Sequence, residues 1–364
     1  MPQTQSIETT LHHAIQEISR LQNADGLLPA IRHNPYWPGY RRNDENVFFT
    51  AITVFTLQQH VRPQVSAAWQ QQIDRITDRA RLAYPAFRNK DGLATYNFWP
   101  TRPSRHFPNG WLFHRFEHFR IPDDIDDTAM VYLTNAPAET DRNWLKTKLV
   151  QHANLATNQI RTTFPEYRNL RAYSTWFGKN MPVDFDACAL SNLLYCIFQY
   201  KLPLNQHDHD SLALLRGVVE SGQYLTEPFR CAPHYARPSL IIYHLARLMA
   251  DFNPAALEPI RPRLIADAKH ELTRATNRME KILLATALLR LGQTPPEIEL
   301  AAIERDFAGF HFFIAGLLTA YEQPLLRRLA GQPVVQLRWQ CEAHSWALMA
   351  EYCSLKLRNF APCR

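Results

Sequence analysis

The feature that most constrains the fold is a repeated pairing of two kinds of apolar segment, joined by loops that carry proline. The first kind is amphipathic, as in residues 7–21, where isoleucine and leucine recur every three or four positions and predict a helix with one buried face. The second kind is apolar nearly all round, which is typical of a helix enclosed by others. Amphipathic segments are predicted at 7–21, 69–83, 144–160, 212–219, 260–272 and either 307–318 or 325–329, and enclosed segments at 47–55, 128–134, 189–200, 239–249, 279–289 and 346–355.

About six such pairs predict an all-α protein. A pair cannot bury its enclosed helix alone, so the pairs are expected to stack around a common axis. Six pairs are enough to close a ring, which makes residues 1–364 a single (α/α)6 toroid. The loops that precede the enclosed helices would then open on one face and bring their polar residues together. A linear helical solenoid is the structural alternative, and no alternating strand pattern competes with the helices.

The most concentrated polar group along the chain is Asp123, Asp124, Asp126 and Asp127, at the start of one enclosed helix. Pro122 disfavours helix before it, and aspartate is a strong N-cap. Like charges this close cannot all ionise cheaply, so at least one carboxyl group should be protonated near neutral pH, paired with a cation or bound to a metal. Capping by solvated carboxylates is the structural alternative, because acidic residues suit the positive end of a helix dipole.

The run from Asp124 to Ala129 resembles the Asp-x-Asp-Asp-Thr-Ala motif of class II terpene cyclases. The resemblance implies that Asp126 is the acid that protonates an alkene, with Asp124 and Asp127 as its catalytic partners. Terpenoid cyclases and protein prenyltransferases are built on such toroids, and the turn at Gln22 to Gly26 is similar to a turn of their repeats. Class II cyclases usually place the active site between two toroids, which implies association with a second toroid.

Other polar and aromatic residues are predicted to reach the same face of the ring. The polar ones precede enclosed helices, where capping is the structural alternative. The aromatic ones lie in the loops and either pack the loops onto the ring or surround a substrate, where aromatic faces stabilise carbocations and also stack on sugars. The predicted substrate-binding residues are Asp44, Glu45, Trp99, Trp111, Trp176, Asp186, His234, Tyr235 and Glu342.

One grouping has the residue types of a zinc site. Asp186 and Cys188, with His234 one repeat later, are similar to the zinc ligands of protein prenyltransferase β subunits. Cys188 also suits a buried apolar position, so zinc is not expected. No metal ligand and no cofactor are predicted, and magnesium is kept only as an alternative beside the acidic cluster.

Composition and charge indicate which ligands and which cellular location to expect. The formal net charge of +6 and the pI near 9.0 favour anionic ligands such as diphosphates. No clustered basic stripe or recognition motif indicates nucleic acid. No stretch approaches eighteen uninterrupted apolar residues, so no signal peptide or transmembrane segment is predicted, and the cytoplasm is the expected location. The six cysteines are scattered, which predicts free thiols.

Three hypotheses of function follow. The first is a terpenoid-cyclase-like enzyme that starts cyclisation of an isoprenoid by protonation from Asp126. The second is a carbohydrate-active hydrolase or lyase, because two carboxylates suffice for glycoside cleavage and Asp126 could pair with Asp44, Asp186 or Glu342. The third is a non-catalytic ring whose rim binds a partner.

Overall fold

A computed structural model describes residues 2–108, 113, 116–178 and 181–360. Helix accounts for 58% of the structure and strand for 7%, which confirms the all-α prediction. In the described chain no helix has both the length and the apolar character needed to cross a bilayer.

The helices alternate between the two predicted kinds. The outer, amphipathic ones are α1 (Pro2–Leu21), α3 (Ala67–Ala83), α5 (Glu139–Gln151), α7 (Gln206–Glu220) and α11 (Arg261–Arg274). The inner, enclosed ones are α2 (Val47–Thr56), α4 (Ile125–Asn135), α6 (Ala187–Gln199), α10 (Pro238–Phe252), α12 (Arg278–Arg290) and α14 (Glu342–Phe360). Short helices α8 (Gln223–Thr226), α9 (Pro228–Cys231) and α13 (Pro324–Ala330) lie in the connections.

The inner helices close into a ring. Each packs on the next in the order α2, α4, α6, α10, α12 and α14, and α14 returns to α2. Every residue of α2 is buried, as its apolar sequence predicts. The predicted all-α toroid is therefore confirmed, with six inner helices, and the linear solenoid is wrong because the last inner helix contacts the first.

The outer helices are held against this ring by packing and by specific turns. After α1, the Gln22 side chain donates to the carbonyl oxygens of Gly26 and Ile76, both at 2.9 Å, and so ties the end of α1 to α3. Gly26 has a φ of +82°, and a Cβ there would lie 2.1 Å from the Arg79 carbonyl oxygen. Only glycine fits this close approach. The predicted outer helix at 144–160 is shorter in the structure, because α5 ends at Gln151.

The connection from α12 to α14 departs from the prediction. Residues 307–318 are not a helix; they contain the end of a 3-10 helix, Ile303–Gly309, and strand β3 (Phe313–Ala315). Phe310, Phe312 and Ile314 are buried at alternate positions, the period of a strand. The alternative segment at 325–329 lies in α13, but Leu325 and Leu329 are exposed, so it is not a ring helix.

A small antiparallel sheet, which the sequence reasoning missed, packs beside the ring mouth. With β1 (Ala30–His33), β2 (Arg41–Asp44) and β4 (Leu337–Gln340), β3 forms a four-stranded sheet in the order β2-β1-β4-β3. Phe313 pairs with Trp339 across β3 and β4. The sheet brings Phe313 to the inner ring, where its side chain packs on His234 and Tyr235.

The cysteines behave as predicted where they are described. Cys188, Cys196, Cys231, Cys341 and Cys353 are free and buried. Burial raises the pKa of each of these thiols, so they remain protonated.

Candidate active site

The acidic cluster lies at the start of α4. Asp124 is the N-cap, and its Oδ1 accepts hydrogen bonds from the backbone N–H groups of Asp126 at 2.9 Å and Asp127 at 2.7 Å. This is the capping role that aspartate fills well. Asp126 and Asp127 then fall in the first turn, and α4 is buried from Ile125 to Thr134. Because these side chains are buried, the cluster differs from a helix cap whose carboxylates are exposed to water.

Asp126 is held by two neighbours on its carboxyl group. Asn192 of α6 donates from Nδ2 to Asp126 Oδ1 at 2.6 Å, and the Tyr235 hydroxyl donates to Asp126 Oδ2. Burial raises the pKa of Asp126 to about 6, and the two hydrogen bonds and Arg247 limit the rise. A carboxyl group in this range can hold a proton near neutral pH and can also release it.

Arg247 of α10 fixes the direction of these hydrogen bonds. Its guanidinium donates to Asn192 Oδ1 and lies against the rings of Phe55, at 5.0 Å, and Tyr243, at 5.3 Å. A guanidinium can only donate, so Asn192 must turn its carbonyl to Arg247 and its amide N–H to Asp126 Oδ1. When Asp126 is neutral, its proton therefore belongs on Oδ2, beside the Tyr235 oxygen.

Asp127 and Asp124 are two further carboxyl groups that lie side by side in this cluster. No N–H or hydroxyl group from the described residues donates to either Asp127 oxygen, and the side chain is almost fully buried. Burial and the neighbouring Asp124 carboxylate raise the pKa of Asp127 well above its ordinary value. The raised pKa favours the neutral form of Asp127 beside Asp124. The cluster thus avoids placing adjacent buried negative charges on both residues.

A small, mainly aromatic cavity faces these carboxyl groups. Its volume is about 20 Å³, enough for roughly one water molecule. The acidic residues Asp124, Asp126 and Asp127 line it together with Phe48, Phe98, Thr175, Trp176, Ala189, His234, Tyr235 and Phe313. Five aromatic residues and one alanine give it a largely apolar lining beside the acids. We refer to it as the acid cavity.

The loop that carries Trp176 closes one side of the acid cavity. Ile125 N–H donates to the Thr175 carbonyl at 3.0 Å, and Trp176 pairs through its backbone with Asp124. The Trp176 ring meets His234 edge-on, with ring centroids 5.4 Å apart. Trp176, His234 and Tyr235 are therefore brought to Asp126, as the sequence predicted for this face of the ring.

Asp186 lies behind the acid cavity as the N-cap of α6. Its Oδ1 accepts from the Cys188 and Ala189 N–H groups at 2.9 and 3.1 Å, and its Oδ2 accepts from the His234 N–H at 2.9 Å. Burial raises its pKa to about 7. Asp186 thus fixes the loop that carries His234 and Tyr235. The described residues contain no cluster of three or more His, Cys, Asp or Glu side chains arranged to hold a metal ion.

The remaining predicted site residues lie elsewhere. Asp44 is buried and accepts hydrogen bonds from the indole N–H groups of Trp99 and Trp339, so Asp44 and Trp99 join the sheet to the loop before α4. Glu45 accepts from Asn23 at 3.1 Å, and Glu342 is exposed at the start of α14. None of these four predicted residues lines the acid cavity. Trp111 lies outside the described residues.

Sequence reasoning missed several residues that complete the site. Asn192 and Arg247 are isolated polar residues within apolar inner helices, and such a position is a usable signal because a buried polar group needs a partner. Phe313 was not predicted because it reaches the acid cavity through β3. Asp123 belongs to the loop instead, since Asn89, Thr95 and Asn97 donate to its carboxylate.

Comparison with known proteins gives a structural match. No protein-family model matches the sequence, and no curated protein matches it. Among solved structures, the chain is similar to a variant of the type II terpene cyclase MstE from Scytonema, in complex with its substrate geranylgeranyl dihydroxybenzoate. The TM-score is 0.51 at 12% identity, and the match covers 98% of this chain and 99% of the other. The fold is terpene cyclase-like. At this identity the match concerns the fold alone, and the roles of Asp124, Asp126 and Asp127 remain a proposal.

Proposed function

We propose that the protein is a terpene cyclase that starts cyclisation of a polyene by proton transfer from Asp126. The observation that carries the proposal is a buried carboxyl group of raised pKa that faces an aromatic cavity inside a terpene cyclase-like ring. A general acid of this kind must keep its proton until substrate arrives, which burial favours.

The first step moves one proton. The Asp126 Oδ2–H bond breaks, the electron pair of the terminal alkene forms a C–H bond with that proton, and a tertiary carbocation remains. The next alkene attacks this cation to form a ring, and the final cation loses a proton or takes up water. The Asp126 carboxylate left behind is stabilised by hydrogen bonds from Tyr235 and Asn192, which are already in place.

Asp124 and Asp127 support this step without donating the proton. The two carboxyl groups are buried close to Asp126 and bring no positive charge that would favour its ionisation. The aromatic side chains of Phe48, Phe98 and Trp176 would face the developing cation, which their ring faces stabilise.

A polyene requires the acid cavity to enlarge. Its present volume of about 20 Å³ is far below the 300 Å³ or more of common ligand sites. Phe313 is the side chain best placed to move, because it lies on the three-residue strand β3 at the edge of the sheet and stacks on His234. Binding of substrate would displace this ring and expel water from Asp126.

The paired-carboxylate hypothesis finds less support. Asp44, Asp186 and Glu342, the partners considered for Asp126 in glycoside cleavage, do not line the acid cavity. Asp186 already accepts three backbone N–H groups. The apolar walls favour a hydrocarbon over a sugar, whose hydroxyl groups would need hydrogen-bond partners there.

The test is product analysis with wild type and Asp126→Asn. Both proteins are incubated with squalene, geranylgeranyl diphosphate and geranylgeranyl dihydroxybenzoate, and products are separated by chromatography and mass spectrometry. We expect wild type to cyclise at least one polyene and the variant to lose turnover by about three orders of magnitude or more. Asp74→Asn, on the outer helix α3, is the matched control and should keep activity. Equal turnover by wild type and Asp126→Asn would refute the proposed role.

A further inference from the structure

A second and larger cavity adjoins the acid cavity. Its volume is about 790 Å³, and it shares His234 and Tyr235 with the acid cavity. Seven arginines and two glutamates of the described chain line it. We call it the arginine cleft. Tyr235, whose hydroxyl donates to Asp126, thus lines both cavities.

Some of these arginines are neutralised by carboxylates. Arg327 forms an ion pair with Asp184 at 3.1 Å, and Arg237 forms one with Glu280 at 2.6 Å. At the edge of the cleft, Arg161 and Arg230 lie 3.9 and 3.5 Å from the two lining glutamates, Glu322 and Glu227, in more exposed pairs that are worth little in water.

Three arginines keep an unbalanced charge. No carboxylate in the described part of the chain forms an ion pair with Arg168, Arg328 or Arg338. The Nε atoms of Arg327 and Arg338 are buried and have no acceptor among the described residues. A buried donor without an acceptor is costly, so an arrangement of this kind is stabilised when an acceptor binds.

The cations also crowd one another. Arg237 and Arg338 both act on His311, and burial together with these charges lowers the pKa of His311 well below its ordinary value. Burial is likewise the main cause of the lowered pKa of Arg237, and Arg338 adds to it. Like charges held this close repel, and an anion placed between them would remove that cost.

The two cavities together have the shape of an amphipathic ligand. The arginine cleft is cationic, the acid cavity is lined mainly by aromatic rings, and His234 and Tyr235 line both. A polyene with its reacting end at Asp126 can fold back so that its other end lies beyond Tyr235. A neutral hydrocarbon would leave Arg168, Arg328 and Arg338 without an anionic partner.

We infer that the arginine cleft binds the anionic head group of the polyene, a group with several acceptor oxygens such as a diphosphate or an aryl carboxylate. The inference rests on the proposed function for the tail of the substrate, but not for the anion site itself. The planar guanidinium group of arginine can donate two parallel N–H hydrogen bonds to two oxygens of either a carboxylate or a phosphate. An uncharged polyene such as squalene is then a poor substrate.

The experiment measures binding of two head-group probes, inorganic pyrophosphate and dihydroxybenzoate, by isothermal titration calorimetry. At least one should bind wild type, and the one that does identifies the head group. Arg338→Gln should weaken its binding by about tenfold, the loss expected for one charge-assisted contact. Arg328→Gln should weaken binding of the same probe severalfold. Because Arg328 is exposed, this variant should fold normally and keeps the test valid if Arg338→Gln does not fold. Arg75→Gln, which makes the same charge change on α3, should bind as wild type does.

Two results separate the anion site from the proposed reaction. If neither probe binds, or if both cleft variants bind like wild type, the anion site is refuted even where wild type cyclises a polyene. If pyrophosphate or dihydroxybenzoate binds as expected and no polyene is cyclised, the proposed function fails and the anion site stands. Asp126→Asn should bind the probe like wild type, because the head group and the reacting alkene are proposed to bind at different places. A loss of binding in this variant would contradict that arrangement.

Discussion

The raised pKa of buried Asp126 predicts an effect on the free energy of unfolding that can be measured without substrate. Asp126→Asn replaces the neutral carboxyl group by an amide of the same shape. The amide oxygen can accept from Asn192, and the amide nitrogen takes the place of Oδ2 beside the Tyr235 hydroxyl, which can turn to accept from it. The variant therefore imitates protonated Asp126 at every pH. We expect its free energy of unfolding to rise relative to wild type as pH increases.

The magnitude follows from the pKa of Asp126. The pKa rises from the ordinary 3.8 to about 6 in the folded protein, so the native state holds this proton more tightly than the unfolded chain does. Its contribution to stability is present below the unfolded pKa and is lost as pH rises through the folded pKa. A shift of two units corresponds to about 3 kcal/mol in total, of which about 2 kcal/mol falls between roughly pH 4.5 and 7.5.

The assay is urea unfolding followed by circular dichroism at about pH 4.5, 6 and 7.5. The difference between Asp126→Asn and wild type should change by about 2 kcal/mol in favour of the variant over this range. Asp74→Asn is the control, because Arg62 lowers the pKa of Asp74 and its titration is complete below the range tested. A flat difference for Asp126→Asn, as in the control, would show that Asp126 is ionised throughout and would refute the buried-acid argument.

Three further predictions concern the neighbours of this site and the ring. Tyr235→Phe removes a hydrogen bond that favours ionised Asp126, so the midpoint above which turnover falls should rise by about one pH unit, and an unchanged pH–rate profile would count against this contact. Asn192→Ala takes the amide acceptor from the buried Arg247 guanidinium and should lower the free energy of unfolding by about 3 kcal/mol in urea titrations. Gly26→Ala places a side chain in a left-handed turn, where its Cβ clashes with a backbone carbonyl, and should lower the free energy of unfolding. A decrease below about 1 kcal/mol in the same titration would contradict the account of that turn.

The ring could be predicted because its signal is local in the sequence. The enclosed segments are apolar all round, so their burial by other helices follows from composition and length alone. The small sheet could not be found in the same way. Its strands have only three or four residues, and β2 begins with two exposed arginines. Phe310, Phe312 and Ile314 alternate in burial, but Phe313 between them is apolar as well, so the sequence alone does not show the period of a strand.

The candidate site could likewise be predicted only where its residues are close in the sequence. The acidic run at Asp124 to Asp127 lies within one turn of α4, so its crowding is evident from spacing. The partners of Asp126 come from α6 and from the loop before α10, and they depend on how those elements are rotated in the closed ring. Asp44 lies outside the acid cavity for a related reason, because an acid before an inner helix can instead join a loop to a sheet, as the hydrogen bonds that it accepts from two tryptophans show.

The most direct test of the central claim is to run the reaction in D2O. An acid in exchange with solvent would carry deuterium on Asp126, and protonation of an alkene would then place one non-exchangeable deuterium in each cyclised product. We predict that wild type gives products heavier by about one mass unit, with the label on the carbon of the terminal alkene, and that Asp126→Asn gives none above background. Cyclised product without carbon-bound deuterium would contradict initiation by proton transfer.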